Sequence, residues 1–470
     1  MKAFSTNRFI LCLLAITGLL ITACHPGTDP DKEEAPALTQ KVNAYMLDIM
    51  EEVYLWEQYI PGDLDIRYEF DEKDFFEKLC YRTEDRWSFI TDDVQTLLEG
   101  SQGVETTFGY SLTFGKFSNT GSMFAVIQYV YPQTPASDAG LKRGDIIVEM
   151  NGQSITEENY TNLYYGSSLS LTMGEYKEGY INNLPGTVSL TSRKQSLNPV
   201  VAYSLTEDSG HRIGYMCYTD FFGDSESYFL PVLQSFKEWG ITDLVLDLRY
   251  NLGGYLSAAK ILAGAICPAS CLNGSTVLVS KHWNELYQNY WTENNRNDML
   301  FEYFPKASDQ SVNLNLSRIY ILTSYNTASA SELTLCGLDP YMEVIQVGLS
   351  TRGKYTAAMI FSPEEDTGIG NWGTQAIVYR YANSLGVTDF REGFAPDYEE
   401  DEVVLGENYP LGDVRERVFA KAISLITGKK AAATQIQTLT TKPAFTVNPS
   451  LASRPAAFHN DLIDNYSNTL

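Results

Sequence analysis

Two short segments hold residue types that fit nucleophilic chemistry. In Thr327-Ala328-Ser329-Ala330-Ser331-Glu332, a serine flanked by alanines follows the strand-like run Ile319 to Thr323 and opens a helical pattern that continues through Leu333 and Leu335. A serine on a strand-to-helix turn is exposed and sits under the positive end of the helix dipole, which eases formation of its alkoxide. The same residues also spell a capping box, in which Ser329 caps the helix and Glu332 reaches back to it. Four histidines, His25, His211, His282 and His459, are too few and too oddly placed to supply a base for the serine. The remaining base is a lysine. Lys354 stands 25 residues after Ser329, directly behind the strand-like Val344 to Val347, in Arg352-Gly353-Lys354. To take a proton near neutrality its pKa must fall by about three units, roughly 4 kcal/mol of desolvation, which an apolar pocket supplies.

A third segment, Asp247-Leu248-Arg249-Tyr250-Asn251-Leu252-Gly253-Gly254, places paired glycines between an apolar strand and the helix-like Leu256 to Ile266. Glycines let backbone amides approach a ligand, and two such N–H groups are what an oxyanion hole requires; the spacing alone fits a plain strand-helix turn equally. A rival pattern, Gly348 to Lys354, matches the phosphate-binding G-x-x-x-x-G-K. It fails at Tyr355, where a magnesium-binding Ser or Thr belongs, and the strand-like Tyr355 to Phe361 stands where that motif needs a helix. Cys80, Cys217, Cys267, Cys271 and Cys336 are odd in number, so they do not all pair; Cys267 and Cys271, four apart around Pro268, are either a disulfide or two buried thiols. No segment has metal-ligand spacing, and neither a metal nor an organic cofactor is expected.

The elements that must position these residues are spread over a long chain. At 470 residues it exceeds one ordinary core and implies two to four domains. A net charge of −25 repels phosphate backbones, which argues against nucleic acid as a partner. Residues 1–23 read as a signal peptide, with Lys2 and Arg8 ahead of the apolar run from Phe9 to Leu20. Ala23-Cys24 then resembles a bacterial lipobox, with Cys24 the lipidated residue and the protein expected in the cell envelope, anchored to the membrane through that lipid alone. The Pro-, Asp- and Glu-rich stretch 24–39 reads as a flexible tether. Residues 40–100 carry helical spacing, as in Val42, Met46, Ile49 and Val53, and Trp56 with Asp85 to Ile90 reads as packing for this helical domain, with the Arg86-Trp87 pair facing a neighbouring domain as the alternative. Residues 101–201 turn to period-two strands with Asn-Gly punctuation, residues 202–430 alternate strands and helices, and the Ala/Thr/Ser/Pro-rich tail 431–470 reads as extended or poorly ordered, with no assigned chemistry.

Two resemblances follow. Thr134 to Asp145 resembles the centre of a PDZ domain, which binds an extended peptide as an added strand; by that resemblance the carboxylate-binding loop falls at Gly109-Tyr110-Ser111-Leu112. Taken with the glycine turn, the serine turn, Gly353-Lys354 and Gly393-Phe394-Ala395-Pro396-Asp397, the chain over roughly 40–428 resembles the carboxy-terminal processing peptidases, serine peptidase family S41. The resemblance implies a multidomain α+β and α/β chain: a helical N-terminal domain, a PDZ-like β-rich domain and a ClpP/crotonase-like α/β catalytic core. It implies Ser329 as nucleophile, Lys354 as general base, and the amides of Ala330, Gly253 and Gly254 as the oxyanion hole, with Glu332, Arg249 and Asn251 in support. It also implies substrates that are proteins or peptides with flexible carboxyl termini. One position departs: the family's glutamine four residues after the lysine is Ala358 here. Either Glu332 or Thr356 then orients Lys354, or the chain is a weakened relative that binds peptides without cleaving them. Carbohydrate hydrolysis, prompted by 31 tyrosines, lacks a recognisable carboxylate pair.

Overall fold

The computed structural model describes residues 32–429, apart from 119, 365–366, 403–404 and 407–408, together with the strand 445–448. The expected signal peptide, Cys24 and most of the expected tail lie outside the described residues.

The first body is built on α1 (Ala37–Val53) and α2 (Glu72–Leu79). Val42, Met46 and Met50 recur at helical spacing and bury with Phe75, Phe76 and Leu79, while Val53 at the end of the helix joins the core of the third body. Asp71 starts α2 by accepting the amides of Lys73 and Asp74, both at 2.9 Å. Helix α1 begins inside the stretch expected to be tether, because Ala35 and Thr39 are already buried. Nor is this body purely helical: β1 (Phe89–Thr91) leaves it to pair with a strand of the third body.

The second body is an antiparallel sheet containing β2 (Tyr110–Phe117), β3 (Met123–Val130), β4 (Ile146–Met150) and β5 (Ser168–Lys177), closed over Leu112, Phe114, Ile127, Ile147 and Leu171. The Asn151-Gly152 pair turns the chain after β4, both residues at positive φ (52° and 73°), as a tight hairpin demands.

The third body runs β6 (Val200–Asp208), β7 (His211–Tyr218), α3 (Glu226–Trp239), β8 (Asp243–Asp247), α4 (Leu256–Ile266), β9 (Val277–Trp283), β10 (Arg318–Thr323), α5 (Ala330–Leu338), β11 (Glu343–Gly348), β12 (Thr356–Phe361), β13 (Gly373–Asn383), β14 (Tyr398–Glu399) and α6 (Arg417–Thr427). Its main sheet has the order β6-β7-β8-β10-β11-β14, parallel except for the antiparallel β6 edge. Residues alternate between two cores: Met216, Leu246 and Ile321 face α3, α4 and α5, while Tyr215, Val245 and Leu322 face α6. A parallel sheet covered on both sides explains why its strands read as continuous apolar runs. Strand β13 pairs with β1, β9 and β12 in a second sheet. Because β8, β10 and β11 are adjacent and parallel, the glycine, serine and lysine turns all emerge at one end of the sheet, where open α/β sheets place their sites.

Two expectations are settled here. Cys267 and Cys271 are both buried free thiols, the former closing the end of α4. Of the tail, expected to be extended or poorly ordered, β15 (Phe445–Asn448) is extended and pairs antiparallel with the outer edge of β2.

Arg249 is almost wholly buried. Its guanidinium reaches Asp247 at 2.7 Å and Glu416 at 2.9 Å, tying the glycine turn to the start of α6. Removing one partner of a buried pair leaves the others uncompensated, so Arg249→Leu is expected to lower stability by about 3–5 kcal/mol in urea unfolding, and a loss under 1 kcal/mol would contradict this role.

Candidate active site

Ser329 occupies the turn between β10 and α5 with φ 60° and ψ −114°, a conformation a side chain rarely adopts. Such strain costs on the order of 1–3 kcal/mol and persists only where the surroundings over-determine it. They do so here. The Ala328 amide donates to the Asn251 carbonyl (3.1 Å), which also accepts from Ser331 Oγ (3.0 Å), and Thr327 Oγ1 donates to the Leu248 carbonyl (2.8 Å). The serine turn is therefore fastened to the glycine turn beside it.

Lys354 arrives from β11 through Gly353, whose φ is 87° and where a Cβ would fall 2.0 Å from the Arg391 carbonyl oxygen, so only glycine fits. What joins lysine to serine is Glu332. This fully buried carboxylate accepts the amide of Ser329 (2.9 Å), the amides of Gly353 (2.7 Å) and Lys354 (2.8 Å), and the hydroxyl of Thr351 (2.6 Å). On the opposite side, the Tyr381 hydroxyl lies 3.2 Å from the Ser329 carbonyl and 3.1 Å from the Lys354 carbonyl. One carboxylate gathers the amides of both turns and one phenol meets both carbonyls. The expected capping box is thus half of a larger arrangement, with Glu332 reaching back to Ser329 and forward to the lysine turn.

Burial holds the Lys354 ammonium well below its usual range; Asp85 and Glu332 oppose the shift and Arg352 adds to it. Burial likewise pushes Glu332 above the usual carboxylate range, against the pull of its hydrogen bonds. A wall of the lysine pocket comes from the first body. The Trp87 ring centroid lies 5.1 Å from Lys354 Nζ, and Arg86 donates to the carbonyls of Gly353 and Arg391, both at 3.2 Å. Asp85 shapes this loop by accepting the amides of Trp87 (2.8 Å) and Ser88 (2.9 Å) and the Tyr54 hydroxyl (2.8 Å). Packing is the first reading of this segment; the contacts agree with the alternative, in which the Arg86-Trp87 pair faces a neighbouring domain, though no spacing within it singles out the lysine.

The expected oxyanion donors separate. The Gly253 amide donates to Asn251 Oδ1 at 2.9 Å and is engaged by its own turn, which removes it from the expected pair. Among the described residues the amides of Gly254 and Ala330 have no acceptor. Gly254 has φ 134°, and a Cβ there would fall 2.2 Å from the Phe221 carbonyl oxygen. Asn251 thus supports the site through both its carbonyl and its side chain.

Ala358 is buried against Val42, Met46 and Met50 of α1, behind a bulge in the pairing of β12 with β13. Glu332 meets Lys354 through the backbone, and buried Thr356 Oγ1 has no hydrogen-bond partner among the described residues. His211 bonds Asp243 at the start of β8, the far end of the sheet from the serine.

The expected carboxylate loop leads into a strand: Tyr110, Ser111 and Leu112 open β2, preceded by Gly109 at φ 89°. Ser111 Oγ donates to Gln128 Oε1 at 3.0 Å and Tyr110 donates to the Leu163 carbonyl at 2.6 Å. Ser111, Gln128 and Tyr129 line a cavity of about 20 Å³ with Tyr250 and Leu252 of the glycine turn and Asn326 of the serine turn. Arg143 crosses the same seam, donating to the Gln128 carbonyl (2.8 Å), Tyr250 (2.7 Å) and Glu402 (2.9 Å).

Comparison with known proteins agrees with this architecture. Residues 212–400 match the model of peptidase family S41, residues 41–89 that of the S41 N-terminal domain, and residues 126–164 that of a PDZ domain. A Bacteroides fragilis protein described as an S41 protease superimposes with a TM-score of 0.68 at 27% identity, covering 82% of this chain and 97% of that one. The carboxyl-terminal-processing protease of a Picosynechococcus strain is 24% identical over 308 residues, 64% of this chain and 66% of that protein. Carboxy-terminal processing protease CtpB of Bacillus subtilis is 25% identical over 241 residues, 49% of this chain and 44% of that protein. The matched segment thus spans a little under two thirds of the first of these curated relatives and less than half of the second. Residues 212–400 thus match a peptidase family S41 domain, preceded by matches to the S41 N-terminal and PDZ domains, and the curated relatives of this chain are carboxy-terminal processing proteases.

Because burial depresses the Lys354 pKa, the unfolded chain binds more protons than the folded one between the folded pKa and the free value of about 10.4. The stability cost of this lysine is complete below the folded pKa and vanishes above the free one. Lys354→Met is therefore expected to be more stable than wild type by a margin that widens as pH falls through that window, by up to about 1.4 kcal/mol per pH unit. A margin independent of pH between 6 and 10 in denaturant unfolding would refute the depressed pKa.

Proposed function

We propose that the protein is a serine endopeptidase of the carboxy-terminal processing class, with Ser329 as nucleophile and Lys354 as general base. The observation that carries this reading is the pairing, by Glu332, of a strained serine with a desolvated lysine at the ends of neighbouring parallel strands.

Neutral Lys354 Nζ takes the proton of Ser329 Oγ as Oγ bonds to the peptide carbonyl carbon. The oxyanion that forms is met by the amides of Ala330 and Gly254. Lys354 returns its proton to the leaving nitrogen as the C–N bond breaks, and a water repeats the sequence on the acyl-enzyme, releasing the new carboxyl terminus. The PDZ domain receives the carboxyl-terminal segment of the substrate beside β2, one seam away from the glycine turn, and unstructured tails are the substrates. Export and acylation of Cys24 belong to the same proposal and rest on the sequence alone.

Cleavage of an unfolded protein such as casein tests the assignment: Ser329→Ala and Lys354→Ala are each expected to lose hydrolysis at least a thousandfold while remaining folded. Wild type and both variants binding a tail peptide alike, with none cleaving any substrate, would favour a peptide-binding relative instead. Trp87→Ala separates two effects on Lys354. Losing the ring forfeits about 0.5–2 kcal/mol of attraction to the ammonium, whereas admitting water relieves the larger desolvation. The acid limb of kcat/KM is therefore expected to move to higher pH in Trp87→Ala, and a limb that moves lower would show that the ring acts mainly through its charge attraction.

A further inference from the structure

The outer edge of β2 carries a strand of the chain's own tail. Strand β15 pairs with it antiparallel over four positions, from Phe445 opposite Phe117 to Asn448 opposite Phe114. The other edge of β2 is taken by β3, so β15 occupies the edge left for addition. Its direction matters. Rising residue numbers in β15 run toward Tyr110, the start of β2, and hence toward Gly109. A peptide added to a PDZ domain lies antiparallel to the strand that follows the carboxylate loop, with its carboxyl end toward that loop. Edge and direction are therefore those of a ligand.

The sequence suits the position. Pro443 to Ala452 contains no charged residue in a chain of net charge −25, so this stretch adds no charge repulsion on docking. Only fifteen residues separate Lys429, just beyond α6, from Phe445. A ligand so tethered has an effective concentration on the order of millimolar.

We propose that the carboxyl-terminal segment around residues 445–448 is a ligand of the PDZ domain in cis, so that the tail of another protein binds only by displacing it. This rests on the reading of the PDZ domain as the receiver of substrate tails. The partner class is defined by the same chemistry: an uncharged, extended carboxyl-terminal segment that offers its backbone to β2. The tail sets a threshold, since a competitor with the same intrinsic affinity is weakened by the ratio of effective concentration to dissociation constant, about tenfold for a 0.1 mM site.

The test uses the full chain with Ser329→Ala, so that nothing is cleaved, and a second version that also carries Thr446→Pro and Val447→Pro. In an antiparallel pair, alternate residues donate to the neighbouring strand, so the two prolines together remove a donor whichever residue supplies it. Binding of a fluorescein-labelled peptide of residues 441–452 is followed by anisotropy. The proline version is expected to bind it at least tenfold more tightly, and its amides at 114–117 to exchange with deuterium faster until the peptide is added. Equal binding by the two proteins, or equal exchange at 114–117, overturns the proposal. Neither readout involves hydrolysis, so an inert enzyme would refute the peptidase reading and leave this result standing on its own.

Discussion

The active site depends on one buried carboxylate. Glu332 accepts three backbone amides and one hydroxyl, drawn from the serine turn on one side and the lysine turn on the other. Burying an ion without partners would cost several kcal/mol, and hydrogen bonds to a charged acceptor are about twice as strong as neutral ones, so four of them make the burial tolerable. The arrangement also works in reverse. Because Glu332 has no solvent to turn to, the donors must converge on it, and that convergence fixes the separation of Ser329 from Lys354.

Around this clamp the fold supplies restraint from several directions. The Asn251 carbonyl holds the serine turn from below, and Tyr381 meets the carbonyls of both Ser329 and Lys354 from the far side. The first body closes the lysine pocket with Trp87 and Arg86, and β1 fastens that body to β13. Such over-determination lets Ser329 remain at φ 60°. The helical body is thus part of the wall around Lys354, and the PDZ body is joined to the glycine turn by Arg143 through a network that also includes Arg249.

Much of the frame was legible because sheet and helix periods differ. Apolar runs flanked by turn residues located β8, β10 and β11, and α4 spans the same residues, Leu256 to Ile266, that its pattern marks. Glycines at positive φ, such as Gly353 and Gly254, were legible as turn positions. Less was visible wherever a contact joins segments far apart in sequence. The capping-box letters showed Glu332 reaching Ser329 and gave no sign of its bonds to Gly353 and Lys354. Arg86 meets the Gly353 carbonyl across 267 residues, a contact that no local pattern carries. Gly253 was expected to face the substrate, yet the side chain of Asn251 takes its amide. The strand at 445–448 was missed because a short neutral stretch among Ala, Thr and Pro has no amphipathic period, and an edge strand takes its order from its neighbour. The family's glutamine position, Ala358 here, lies buried in one core cluster with Val42, Met46 and Met50 of α1.

The most direct measurement is the rate at which a fluorophosphonate acylates Ser329 in wild type and in Glu332→Gln, with folding checked by circular dichroism. Glutamine retains the shape but keeps one acceptor oxygen, so two of the four donors face its NH2 and lose their acceptor, and the clamp predicts at least a hundredfold slower labelling, about 2.7 kcal/mol of lost preorganisation, in a protein that remains folded. Labelling within threefold of wild type would show that Ser329 and Lys354 hold their positions without Glu332 and would contradict the account.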